Sequence, residues 1–115
     1  MRYLIPAALL LTFGASAASA QAPELKWGSA PAVFTPGAQM AVLQGNPAAA
    51  GEYTVRLRMP SGYKIAPHWH PTDENITVIS GTLKVGMGKT FDEKNMMSIP
   101  AGGFATAVAK QPHYA

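Results

Sequence analysis

The 115-residue sequence contains no cysteine. That excludes a disulfide framework, a zinc–thiolate site and a cysteine nucleophile together. Charge is scarce: charged residues make up 13% of the chain against 48% hydrophobic, so this is no disordered, charge-rich sequence. The net charge of +3 is scattered, with no basic block and no basic helix face, so no nucleic-acid partner is expected. Beyond the first twenty residues, apolar side chains never recur at helical spacing for more than about a turn. Ser61, Ser80 and Ser98 have no His–Asp partner nearby, so serine hydrolysis has no support. The length leaves room for one small domain and no second.

The chain opens with a three-part leader. Met1-Arg2 is a short basic start, Leu4 to Phe13 is apolar apart from Pro6 and Thr12, and Gly14 to Ala20 are small residues. Ala18-Ser19-Ala20 fits a small-x-small cleavage site, so residues 1–20 read as a secretory signal peptide cut after Ala20. The apolar core is about half of the ~20 residues a spanning helix needs, so no stable membrane insertion is expected after cleavage. The protein is expected to be exported, periplasmic or secreted.

Residues 21–37, rich in Pro, Gly and Ala, read as an extended lead-in with Trp27 and Val33-Phe34 as docking points. From residue 38 to 115 the signals are those of short strands. Met40 to Leu43 is an apolar run closed by Gly45-Asn46-Pro47. Tyr53 to Met59 alternates, with Tyr53, Val55, Leu57 and Met59 on one face and Thr54, Arg56 and Arg58 on the other. Ile76 to Ile79 is apolar or β-branched, Thr82 to Met87 alternates, and Ser80-Gly81 between them suggests a tight hairpin. Met96 to Ile99 and Phe104 to Val108 complete the set. Short strands with turn signals every 8–12 residues indicate an all-β sandwich or barrel. Tyr63, Ile65, Ile76, Val78, Leu83, Val85, Met87 and Phe104 are candidates for its wall. Trp69 is expected to pack away from the histidines that flank it.

The chemistry lies in a histidine pair. His68 and His70 stand two apart, so on an extended strand both imidazoles point to one spot. Glu74 follows after Pro71-Thr72-Asp73, and a turn there brings its carboxylate to the same place. Two neutral imidazoles and a carboxylate with open positions suit one divalent transition metal: Fe, Mn, Zn, Ni or Cu. The spacing leaves the metal's identity open. A surface His-Trp-His loop with an acidic neighbour would show the same spacing.

Around this pair the sequence reads Gly62, five residues, His68-x-His70, three residues, Glu74, six residues, Gly81. This resembles the first motif of the cupin superfamily at every defined position. From Gly102 the chain also partly resembles the second cupin motif, with His113 at its histidine position. Val108 stands where proline is usual, Lys110 stands where glycine is usual, and the asparagine position falls past Ala115. The resemblance implies a small antiparallel β-barrel of jelly-roll type and a three-His-one-Glu centre formed by His68, His70, Glu74 and His113. A glycine at position 110 would serve a turn of positive φ, which a lysine fills at a cost. The first-motif segment also looks like that of small, exported, single-domain cupins of the conserved-barrel kind. Those continue into further strands, so the resemblance implies a barrel incomplete at its C-terminal end with an open edge, the chain being a fragment, a truncated product, or a protomer completed by strand exchange in a homodimer.

Three readings follow. The first is a metal-dependent enzyme, dioxygenase-like or of other small-molecule chemistry, in which His68, His70 and His113 hold the metal and Glu74 is a ligand or, when displaced, a catalytic base. The second is a non-catalytic module that binds or senses a metal or small ligand. The third is a fragment unable to fold alone. The expected partner is a small-molecule ligand or substrate.

Overall fold

The structure, a computed structural model, describes residues 24–115. The expected signal peptide, residues 1–20, lies outside the described residues. The described chain is all-β and antiparallel. Its strands are β1 (Gly28–Ser29), β2 (Gln39–Gln44), β3 (Thr54–Arg58), β4 (Glu74–Thr77), β5 (Thr82–Met87), β6 (Met96–Pro100), β7 (Phe104–Ala107) and β8 (His113–Tyr114), with one short 3₁₀ turn at Glu93–Asn95. They form three sheets ordered β1-β2-β3, β4-β7 and β6-β5-β8. Among the described residues these sheets do not close on one another into a continuous barrel.

Alternation places β3 as expected: Val55 and Leu57 are half-buried and Thr54, Arg56 and Arg58 are exposed. Its partner β2 carries a register shift between Val42 and Gln44. Gly28–Ser29 adds a two-residue strand to β2 from within the expected lead-in. Trp27 docks there beneath Arg58, whose guanidinium carbon lies 4.2 Å from the indole centroid. The Arg58 Nε and Nη2 groups also donate to Gln39 Oε1 at 3.0 and 2.7 Å. A packed indole and a neighbouring amide thus occupy Arg58. The Tyr63 hydroxyl donates to the Thr35 carbonyl at 2.5 Å, tying the segment after β3 back to the loop before β2.

The hairpin expected at Ser80-Gly81 does not form. β4 pairs with β7 (Glu74↔Ala107 to Thr77↔Phe104), whereas β5 pairs with β6 and β8. The local reason is the turn. Gly81 has φ +71°, but Ser80 is not among the positive-φ residues. A type I′ turn needs positive φ at both central residues and type II′ at the first. A two-residue tight turn is thus absent, and the chain passes from one sheet to the other. Val78 instead extends the β4–β7 ladder, donating to Gly103 O at 3.0 Å and accepting from Gly102 N–H at 2.7 Å.

The core is small: Ala38, Ala41, Val78, Ile99, Ala107 and Tyr114 are its buried hydrophobic residues. Two expected wall residues are not enclosed, with Phe104 62% and Met87 53% exposed. The Trp69 indole also stays 58% exposed and does not pack into a core. Among the described residues Tyr114 is the largest fully buried side chain. It stands opposite Gly86, where an added Cβ would run into its ring. Its hydroxyl donates to Asp92 O at 3.0 Å, and its ring lies 4.9 Å from that of Phe91. Asp92 in turn caps the 3₁₀ turn, accepting from Lys94 N–H at 3.0 Å and from the Asn95 amide at 2.6 Å. Glu93 on that turn pairs with Lys64 at 2.6 Å, and this hydrogen-bonded cation holds its carboxyl below the usual carboxylate range.

Candidate metal centre

His68, His70, Glu74 and His113 come together. Each offers one donor atom, and the four donors lie within 4.8 Å of one another. They arrive from different parts of the fold. Glu74 is the first residue of β4, half-buried and in register with Ala107. His113 opens β8, is 3% exposed and stands opposite Met87 of β5. The centre therefore spans the gap between the β4-β7 and β6-β5-β8 sheets.

The two remaining histidines lie on an extended segment outside the named strands, and β8 holds that segment in place. His68 and His113 exchange both backbone hydrogen bonds at 2.9 Å, and Ile65 and Ala115 do the same at 2.7 and 3.1 Å. Between these two pairs, Ala66 and Pro67 stand against the single residue Tyr114. That is a β-bulge, and proline suits it because the unpaired position needs no N–H. The bulge sets His68, not Pro67, opposite His113, so both imidazoles rise on one face. Their ring centroids are 4.4 Å apart, and that of His70 lies 5.0 and 5.3 Å from them.

Two of the rings are oriented by their own backbone. His68 Nδ1 lies 2.7 Å from Ala66 O, and His113 Nδ1 lies 3.1 Å from Gln111 O, each a carbonyl two residues upstream. A carbonyl only accepts, so Nδ1 carries the proton. In the neutral ring this leaves the Nε2 lone pair free for a metal. His70 Nε2 and His113 Nε2 are buried without a hydrogen-bond partner. Both lie near Glu74 Oε2, at 3.3 and 3.4 Å, but without hydrogen-bond alignment. Bonds of about 2.1 Å to one ion would set neighbouring donors about 3 Å apart. Buried, unpaired nitrogens are costly, and convergence with a carboxylate on a shared point fits a divalent cation.

His113 is the most buried of the four donors. Lys110 has φ 63°, making it the one non-glycine residue of positive φ among those described. The turn expected of a glycine at that position is present. Its side chain is exposed, while its N–H donates to His70 O at 2.7 Å. Asp73 Oδ1 accepts from Ala109 N–H at 2.8 Å.

Beside the centre lies a cavity of about 460 Å³ between the two sheets. Its apolar lining comes from Ile76, Ala105 and Ala107 on one side and Val85, Met87 and Met97 on the other. Register places it next to the donors, since Met87 opposes His113 and Ala107 opposes Glu74. The spacing of His68, His70 and Glu74 was readable in the sequence. The cavity was not, because its walls come from strands whose pairing no local pattern specifies.

No curated protein and no solved structure matches the chain. Among protein families, residues 15–102 match the ChrR cupin-like domain. The match includes the His68-x-His70…Glu74 motif and ends before His113, which the partial second-motif resemblance and the geometry bring into the set. With most of its length matched, the chain belongs to the ChrR cupin-like domain family.

Proposed function

We propose that this protein is an exported, mononuclear metal-dependent cupin that acts on a small molecule held between the metal and the apolar cavity. The observation that carries this reading is the pair of buried, unpartnered nitrogens, His70 Nε2 and His113 Nε2, facing the Glu74 carboxylate. His68, His70, Glu74 and His113 would hold the ion. Once bound, a divalent metal would supply Lewis-acid or redox chemistry at positions the four donors leave open.

The protein's own groups define the rest. Three neutral imidazoles and one carboxylate leave a divalent site net positive, which favours an anionic oxygen head such as an enolate or catecholate. The neighbouring wall offers Ile76, Val85, Met87 and Met97, which suit an apolar body. Glu74, when released from the ion, is placed to accept a proton from such a ligand. The second reading is a non-catalytic binding or sensing module. It is favoured by the sheets not closing around the site, because turnover needs a shielded centre.

The test is elemental analysis of the protein purified from its own compartment beside His70→Ala, followed by O₂ uptake with phenolic and dicarbonyl compounds. About one ion per chain, lost in the variant, is the expected result. Full metal without uptake selects the binding module. No metal in either protein rejects the metal-dependent enzyme and the metal-binding form of the module.

A further inference from the structure

The two loops that carry the donors are tied to each other by a pair of backbone amides. The β4–β7 ladder ends at Glu74↔Ala107. Just past that end, Asp73 Oδ1 takes the Ala109 N–H at 2.8 Å, and the His70 carbonyl takes the next amide, that of Lys110, at 2.7 Å. Successive amides of the second loop are thus held by the first, on both sides of Pro71-Thr72. Three residues after Lys110 the second loop delivers His113.

We propose that Asp73 is a positioning residue for the metal centre. Resting on the metal-centre reading, this assigns it a role in holding the turn that ends in Glu74 against the loop that ends in His113. The backbone between β7 and β8 crosses from one sheet to the other in residues 108–112. No strand pairing restrains that crossing on the β4 side once the ladder has ended. The Asp73 side chain continues the ladder by one hydrogen bond, from the residue next to a donor. Its carboxylate is exposed and is not itself one of the four donors. Its effect is therefore preorganisation, not ligation. An amide oxygen has the same acceptor geometry as a carboxylate oxygen, so asparagine should serve in its place and alanine should not.

The test compares wild type, Asp73→Ala and Asp73→Asn. Zn²⁺ affinity is measured by chelator competition, and hydrogen exchange is followed at the Ala109 amide in metal-free protein. Loss of a direct hydrogen-bond partner of a ligand typically weakens metal binding about 10–100-fold, and Asp73, one bond removed, is expected at the lower end of that range. Asp73→Ala should fall in that range with faster Ala109 exchange, and Asp73→Asn should stay within about threefold of wild type. Unchanged affinity in Asp73→Ala overturns the role while leaving the metal centre standing. So does an asparagine variant as weak as the alanine one, since charge and not the hydrogen bond would then matter. A wild type that takes up no Zn²⁺ overturns the metal-centre reading and this role with it.

Discussion

Lys110 keeps a left-handed backbone, φ 63°, that costs a residue bearing a Cβ about 1–2 kcal/mol. Its exposed side chain makes no salt bridge among the described residues, whereas its N–H holds the His70 carbonyl. The position serves the backbone. Glycine would relieve the strain but lose about 0.5–1 kcal/mol through the freer unfolded chain. Relief is the larger effect, so Lys110→Gly should raise stability by about 0.5–1 kcal/mol, read as a higher denaturant midpoint at unchanged slope. A lower midpoint would mean that the lysine side chain makes a contact worth more than its strain. This position was legible in the sequence, because the resemblance placed a glycine there and a glycine in a turn implies positive φ.

Strand β8 is only two residues long, yet it carries one of the four candidate donors and, among the described residues, the most deeply buried ring. It holds its place by filling the space above a glycine: Tyr114 lies where a side chain at Gly86 would be. The ring has little freedom to retreat, with its hydroxyl on Asp92 O and its edge near Phe91. Gly86→Ala should therefore destabilise by about 1–3 kcal/mol, as overpacking does. It should also weaken metal binding, because Tyr114 and His113 are neighbours on one short strand. A thermal melt and a Zn²⁺ titration check the two effects, and a variant that melts like wild type would show that Tyr114 is not locked. Individual strands were legible here through alternation, as in Thr54 to Arg58 and Thr82 to Met87. Their pairing was not. Ile76 to Ile79 and Thr82 to Met87 look like a hairpin in sequence, yet the first pairs with β7 and the second with β6 and β8. Tyr114 escaped notice for the same reason: its value depends on a glycine far away in the chain. Phe104 and Met87 have the apolarity of core residues, but apolarity does not reveal which face a partner sheet covers.

At the scale of the molecule, the donors bridge two sheets. Glu74 stands on β4, His113 on β8, and His68 on the segment that β8 holds. An ion bound there would fasten one sheet to the other across the apolar cavity. Metal that binds only the folded state adds about 2.7 kcal/mol at a hundredfold excess over its Kd. For a domain of this size that raises Tm by on the order of 10–20 °C. Calorimetry with and without Zn²⁺ should show that rise, and a chelator should reverse it. An unchanged Tm at saturating metal would place the bound ion in the unfolded chain as much as in the folded one. The bridge between His68 and His113 also has a bearing on the order of events during folding. His68 and His70 are near neighbours along the chain and can meet an ion as soon as both are synthesised. His113 joins them only after all the intervening chain has been drawn into a loop, a contact of long range that forms late. A nascent chain that meets a strongly binding ion early would hold it by two nitrogens, with the other coordination positions open to other histidines. The same ion offered after β8 has docked would meet the complete set, so when metal arrives can matter as much as which metal it is.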